Sequence, residues 1–300
     1  MIVAVMHEDQ VETTLAALAT AIAEQFPQHA GLPIRRVESA GTVVAPFRIG
    51  DHLLARVPLV PVASAKARER LQEEHDHAHF LSNRLPVRVP TPLGLGEPFD
   101  GYQGWWSLWT WLPGRSLDRT PVRDVEQLAG DLATLIRAFH AQPTNGRSWN
   151  GAGRGGQPLA DTEWVRYSID RSAHLVDPAA CTRLWDRALN AAAHRGPAMY
   201  IHGDPMPGNL LTTAGQLSGM IDVSAPVFGD PAADLQPAWV IFEEPERSLF
   251  LSLVGLDDAA RERAWGWTFE MAIGGLHYYE HPNPVFFQQA ARTLERLLTE

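Results

Sequence analysis

Lysine is nearly missing from this chain: Lys66 is the only one, so almost every positive charge is an arginine. Cysteine is as scarce. Cys181 alone cannot form an intrachain disulfide, which makes a reducing cytoplasm the expected setting. No apolar run approaches the roughly 18 residues that a bilayer-spanning helix needs. The opening MIVAVMHEDQVETT lacks the basic region and small-residue cleavage site of a signal peptide, so no membrane partner is expected. No G-x-x-x-x-G-K-[ST] occurs, which excludes a P-loop. The formal net charge of −10 argues against nucleic acid, whose phosphates demand a basic footprint. That charge fits plain solubility and is compatible with steering a small cation. Internal repeats and low-complexity tracts are absent as well.

What is present reads as a β-rich first part and a helical remainder. Val11, Leu15, Leu18 and Ile22 recur at helical spacing, predicting a helix from about Glu8 to Phe26 that Pro27 ends. Between Leu32 and Pro58, short apolar runs alternate with turn signals. Three antiparallel strands are expected there, with turns at Ser39–Thr42 and Gly50-Asp51. A helix follows over 63–84, then an irregular exit marked by Pro86, Pro90 and Pro92, then a strand over 105–112. Further helices are predicted over 122–140, 163–175, 179–194, 233–242, 257–279 and 284–298, with a Gly-rich loop over 144–158. The expected fold class is α+β, with a small antiparallel-sheet lobe over 1–111 and a larger, mainly helical lobe over 112–300.

Between those helices lies His202-Gly203-Asp204-Pro205-Met206-Pro207-Gly208-Asn209, followed by Ile221-Asp222. Apolar runs flank a tight turn carrying an aspartate and an asparagine, and a short hairpin then presents a second aspartate. Phosphoryl transfer asks for such a set: one carboxylate at the attacking hydroxyl, with an amide and a carboxylate to hold magnesium against phosphates. Asp204 is the candidate catalytic group. A carboxylate suits, because a loose transition state needs alignment more than strong proton abstraction. Asn209 and Asp222 are the candidate Mg2+ ligands, both offering the hard oxygen that this ion prefers. Taken singly, Asp204 could cap a turn, Asn209 could be a turn residue and Asp222 a solvated strand end. Together, at these intervals, they read as a site.

The array resembles the catalytic and metal-binding loops of the aminoglycoside phosphotransferase family, relatives of protein kinases. Gln25-Phe26-Pro27, Ser39-Ala40-Gly41-Thr42, the Arg56 strand, Trp111-Leu112-Pro113-Gly114 and Gly229-Asp230-Pro231-Ala232-Ala233-Asp234 fall in the same order as in such enzymes. The resemblance implies a bilobal protein-kinase-like fold. It also implies transfer of the γ-phosphoryl of ATP or GTP, with Mg2+, to a hydroxyl of a small molecule, an aminoglycoside-like or other antibiotic being the leading acceptor. Arg56 stands where kinases place the phosphate-contacting lysine, with Glu74 on the next helix as its partner. A permanently charged, forked guanidinium is electrostatically suited to that place. Gly41 and Thr42 would cover the phosphates, and the Thr110–Leu112 backbone would read the adenine edge. His202 is expected to hold the loop through the backbone, and Asp230 and Asp234 to brace it. Trp239, Glu243, Glu244, Trp267, Glu270 and Tyr278 are candidate acceptor contacts, offering carboxylates and aromatic faces to a cation. The chain departs from the family at Val223-Ser224, where an aromatic residue and a glycine are usual, and at Met206, where many relatives carry histidine.

Those departures and Arg56 motivate the rival reading, a catalytically weak nucleotide- or ligand-binding pseudokinase; a kinase for a small metabolite is a further alternative. Arg56 itself could instead be an exposed edge residue. Two look-alikes are set aside. Gly151-Ala152-Gly153-Arg154-Gly155-Gly156 spells G-x-G-x-x-G but follows Trp149-Asn150 in a loop rather than a buried strand. His75, His77 and His79 suggest a metal cluster, yet on a helix His77 faces away from the other two.

Overall fold

The computed structural model describes residues 9–299 except 40, 42, 121, 152, 157–161, 224, 225 and 282. The chain forms two compact units, one made of Met1–Arg84, Arg88–Pro113 and Met220–Ala225, the other of Leu85–Val87, Gly114–Gly219 and Pro226–Glu300.

The first unit holds helix α1 (Leu15–Gln25), strands β1 (Ile34–Arg36), β2 (Val44–Ile49) and β3 (Leu53–Pro58), helix α2 (Ala65–Leu81), and strands β4 (Pro92–Gly96) and β5 (Trp106–Thr110). The strands form one antiparallel sheet in the order β1-β2-β3-β5-β4. Alternation explains the pleat: Ala45, Phe47 and Ile49 on β2, and Leu53, Ala55 and Val57 on β3, all turn inward. They pack with Leu18, Ile22, Trp106 and Leu108 as one core. The turn expected at Gly50-Asp51 joins β2 to β3, whereas the one expected at Ser39–Thr42 includes positions outside the described residues.

Two features differ from expectation. Helix α1 begins only after Thr14, whose hydroxyl accepts the Ala17 N–H at 3.2 Å. Upstream, the Val11 N–H donates to the Leu59 carbonyl at 2.9 Å and Val11 packs on the sheet core, so its apolar side chain serves extended chain rather than a helix. The stretch taken for an irregular exit contains β4. Prolines 90 and 92 obscured it, but β4 lies at the sheet edge and starts on Pro92, a place where a missing N–H costs little.

The second unit begins with β6 (Arg115–Ser116), α3 (Val125–His140), α4 (Thr162–Arg171) and α5 (Pro178–Leu189). Strands β7 (Met199–Ile201), β8 (Leu210–Thr213), β9 (Gln216–Met220) and β10 (Val227–Gly229) follow, then α6 (Pro237–Val240), α7 (Glu246–Val254), α8 (Asp258–Tyr278) and α9 (Pro284–Thr299). β10 pairs with β7, and β6, β8 and β9 form a small sheet. Leu128, Leu132, Leu135 and Phe139 line the buried face of α3, as their spacing predicts. Helix α7 was not foreseen, and 233–242 is a 3-10 turn followed by the four-residue α6 rather than one helix. The signal for α7 was present: Pro245 and Glu246 at its start, and Gly255 at φ +79° closing it in the left-handed conformation that glycine adopts freely.

One buried ion pair ties α8 to the turn after β10. Arg263 donates through Nε and Nη2 to Asp230 at 2.7 and 3.1 Å, and through Nη1 to the Ala192 carbonyl at 2.8 Å. Asp230 also caps that turn, accepting the Ala232 N–H at 3.0 Å. Removing one partner strands a charge in a medium that solvates it poorly. Arg263→Met is therefore expected to lower the unfolding free energy by about 3–5 kcal/mol, read from the urea midpoint.

Candidate active site

Strand β7 delivers the chain to His202-Gly203-Asp204, and the backbone there hangs on one carboxylate. Asp234, fully buried, accepts the N–H of His202 at 3.0 Å and of Gly203 at 2.6 Å. His140 Nε2 lies 3.1 Å from the same carboxylate. The next N–H, that of Asp204, donates to His202 Nδ1 at 3.1 Å, so the imidazole holds the loop, the structural part expected for it. The brace is thus divided: Asp234 takes the loop, while Asp230 caps and pairs with Arg263.

The loop then closes on itself. Met206 N–H donates to the Asp204 carbonyl at 2.8 Å, and Asn209 N–H to the Met206 carbonyl at 2.9 Å. The Asn209 amide nitrogen donates to the Asp204 carbonyl at 3.1 Å and to its Oδ2 at 3.3 Å. That orientation turns the Asn209 amide oxygen, the atom a metal would use, away from Asp204. Met206 is buried and its Sδ accepts from Gln289 Nε2 at 3.7 Å, so it packs inward where a histidine would bring a polar ring. Asp204 Oδ1 receives Arg154 Nη1 at 2.7 Å.

In the first unit Arg56 lies on β3, the middle strand, with its side chain only 18% exposed; it is no edge arginine. Its Nη2 donates to Asp222 Oδ1 at 3.0 Å, its Nη1 stands 3.7 Å from Glu74 Oε2, and its guanidinium lies over the Trp109 ring at 5.5 Å. Burial raises the Glu74 pKa above 4.5, outweighing the opposing pull of Arg56 and Arg70, while Asp222 adds to the rise. Glu73 is exposed, as expected for the neighbour a hundred degrees around the helix. Asp222 sits at φ +60°, a left-handed conformation that a short polar side chain tolerates better than most. Val223 is buried and supplies apolar packing beside it. Asn209, in the second unit, and Asp222, in the first, each carry a side-chain oxygen of the hard kind that magnesium prefers.

The remaining expected positions divide. The Gly41 N–H donates to Ser39 Oγ at 3.0 Å, an ordinary serine turn, whereas Thr42 and Ser224 lie outside the described residues. Thr110 N–H and Trp111 N–H are taken by the carbonyls of Thr91 (2.8 Å) and His52 (2.7 Å), which shifts the donor that could meet an adenine edge to Leu112. Of the expected acceptor contacts, the two tryptophans are the ones that burial removes. Trp239 is fully buried and Trp267 nearly so, leaving almost no indole surface for a ligand. Glu243 is committed to Arg296 at 2.6 Å. Trp239 and Glu244 do line a cavity with Arg187, Arg247, Asp258 and Trp265, but no residue of the 202–209 loop lines it. Tyr278 is exposed and stacks edge-on against Tyr279, and Glu270 is half-buried. His75, outside the site, is buried edge-on against Trp109, and burial lowers its pKa to about 4. Sequence reasoning missed Arg154, whose only signal was the glycine-rich loop set aside as a look-alike.

A five-stranded antiparallel sheet with its partly buried arginine–glutamate pair, and a helical unit carrying an H-G-D-x-x-x-x-N loop, define a phosphotransferase of protein-kinase-like fold. The sequence profile of the phosphotransferase enzyme family matches residues 47–271, and the chain belongs to that family. No curated protein matches it in sequence. Among solved structures it is similar to the GDP complex of aminoglycoside 2'-phosphotransferase-IIIa (17% identity, 94% of this chain and 97% of that one, TM-score 0.67). It is also similar to macrolide 2'-phosphotransferase type I (22%, 93% and 97%, 0.62). A third is the macrolide 2'-phosphotransferase MphH of Brachybacterium faecium (20%, 91% and 97%, 0.58). At these identities the likeness is one of fold.

Two outcomes follow from the braces. Asp234→Ala orphans the buried Gly203 N–H and the part-buried His202 N–H, and is expected to destabilise the protein by about 1–3 kcal/mol, measured by denaturant unfolding. Glu74, with its folded pKa raised, contributes stability that is fully present below pH 4.5 and lost as pH climbs through the folded value. Glu74→Gln removes that loss. The difference in thermal midpoint between variant and wild type should therefore move in the variant's favour as pH rises from 4 upward.

Proposed function

We propose that the protein moves the γ-phosphoryl group of ATP or GTP to a hydroxyl of a small molecule. Antibiotics of the aminoglycoside and macrolide type are the first class to test, since the solved proteins of similar fold carry those names. The observation that supports this best is the loop itself: a half-exposed Asp204 carboxylate locked to Asn209 on a backbone that Asp234 and His202 hold rigid.

In this reading Asp204 receives the acceptor hydroxyl and aligns its oxygen with the γ-phosphorus. As the new P–O bond forms, the bond to the β–γ bridging oxygen breaks and its electron pair leaves with the nucleoside diphosphate, while the hydroxyl proton passes to Asp204. Rigid placement matters more than basicity here, because the transition state is loose. Asn209 and Asp222 would hold magnesium, which when bound neutralises charge on the phosphate oxygens. Arg56, steadied by Glu74, supplies the fixed positive charge for the α- and β-phosphates, and the Leu112 backbone the contact to the base. Arginine serves because a phosphate contact needs a donor and a charge, not a titratable amine.

The test is a panel of hydroxylated acceptors, each incubated with γ-labelled ATP or GTP and magnesium. Transfer to at least one acceptor is expected, and Asp204→Ala should reduce kcat by about 100- to 10,000-fold while nucleotide still binds by calorimetry. Asp222→Ala should abolish the magnesium dependence of nucleotide binding. An Asp204→Ala variant that turns over at the wild-type rate would remove this carboxylate from the mechanism.

A further inference from the structure

The loop dismissed in the sequence as a false dinucleotide motif carries a second group to the reacting carboxylate. Arg154 Nη1 donates to Asp204 Oδ1 at 2.7 Å and to the Gly203 carbonyl at 3.2 Å. On the other side, Asn209 reaches Asp204 Oδ2 at 3.3 Å. Each carboxylate oxygen therefore has its own anchor, from opposite directions in the sequence.

The presenting loop is built rather than incidental. Trp149 Nε1 donates to the Gly153 carbonyl at 3.2 Å, and its ring occupies the space a Cβ on Gly156 would need, 2.5 Å away. The Gly155 carbonyl accepts the Asp230 N–H at 2.9 Å, and a Cβ on Gly229 would fall 1.8 Å from that same carbonyl oxygen. Gly153 and Gly155, at φ +64° and +102°, take backbone conformations that side chains resist. Arg154 sits between these two pinned residues, and one of the pins, Asp230, is the residue that anchors α8.

We propose that Arg154 is a positioning residue for phosphoryl transfer: by bridging the Gly203 carbonyl and the Asp204 carboxylate, it fixes the plane in which that carboxylate meets the acceptor hydroxyl. The inference rests on Asp204 being the group that receives the hydroxyl. A carboxylate on a single rotatable stem has a broad terminal torsion, so one anchor would leave its second oxygen free to swing. Two anchors remove that freedom, and the lone pairs of an ionised carboxylate still leave room for an incoming hydroxyl. Stability is a poor explanation for the contact. The two side chains are 31% and 45% exposed, and ion pairs this wet contribute no more than about 1 kcal/mol. An arrangement that costs four constrained glycines and a tryptophan, yet adds little to stability, is better matched to alignment.

The experiment compares Arg154→Ala and Arg154→Lys with wild type on whichever acceptor the panel identifies, using initial rates, calorimetric nucleotide binding and thermal unfolding. Arg154→Ala is expected to lose about 10- to 100-fold in kcat, the scale of a modest misplacement, with nucleotide affinity and thermal midpoint close to wild type. Arg154→Lys, which keeps the charge on a differently shaped, unbranched stem, should fall between the two. Guanidinium chloride at non-denaturing concentration should restore part of the Arg154→Ala rate and none of the Asp204→Ala rate. An Arg154→Ala kcat equal to wild type overturns the proposal. So does a loss that guanidinium does not restore and that is matched by a fall in thermal midpoint, since the residue then acts through the fold. If the wild-type protein binds nucleotide but phosphorylates no acceptor, the transferase reading fails first and takes this inference with it.

Discussion

One buried carboxylate governs the second unit. Asp234 has no access to solvent, so its charge must be met by the protein, and the donors that meet it are two consecutive backbone N–H groups and a histidine. Because those N–H groups belong to His202 and Gly203, the residue that follows inherits its position. Asp204 is therefore placed by a buried group to which its own side chain makes no hydrogen bond. The short 3-10 turn, the Asn209 amide and the glycine-rich loop add further restraints to a segment already immobilised from beneath.

The first unit solves a different problem: holding a permanent positive charge inside a sheet. Arg56 is largely withdrawn from solvent, so its guanidinium needs partners. They come from two directions, Glu74 on α2 and Asp222 on the segment after β9, with the Trp109 ring beneath. The pull between burial and charge is visible at Glu74, where burial wins. Two acids sharing one cation make the arrangement responsive to anything that brings further charge to Asp222.

Much of the fold was legible in the sequence because its signals are local. The alternation of β2 and β3 and the 3.6-residue period of α3 are read from neighbours along the chain. The failures have a common origin in contacts between distant segments. Val11 matched a helical period by accident and is held instead by Leu59. β4 looked irregular because its leading proline suits a sheet edge, and edge status is a property of the assembled sheet. Trp239 and Trp267 read equally well as ligand platforms or as core, and only burial distinguishes these. The loop residues were recognised because H-G-D-x-x-x-x-N keeps its members close in sequence. Arg154 was missed because its partner lies fifty residues away. Glu74, much nearer to its partner Arg56 along the chain, was named through the family resemblance rather than through any local pattern.

The near-absence of lysine has a practical outcome for chemical biology. Reactive nucleotide analogues that acylate or form imines with the amine beside the phosphates depend on a nucleophilic nitrogen, and a guanidinium at position 56 offers none under ordinary conditions. The sole side-chain amine, Lys66, is exposed on the first turn of α2. With Arg56 at the phosphates as proposed, probes that capture kinases through a lysine there would meet no amine to react with.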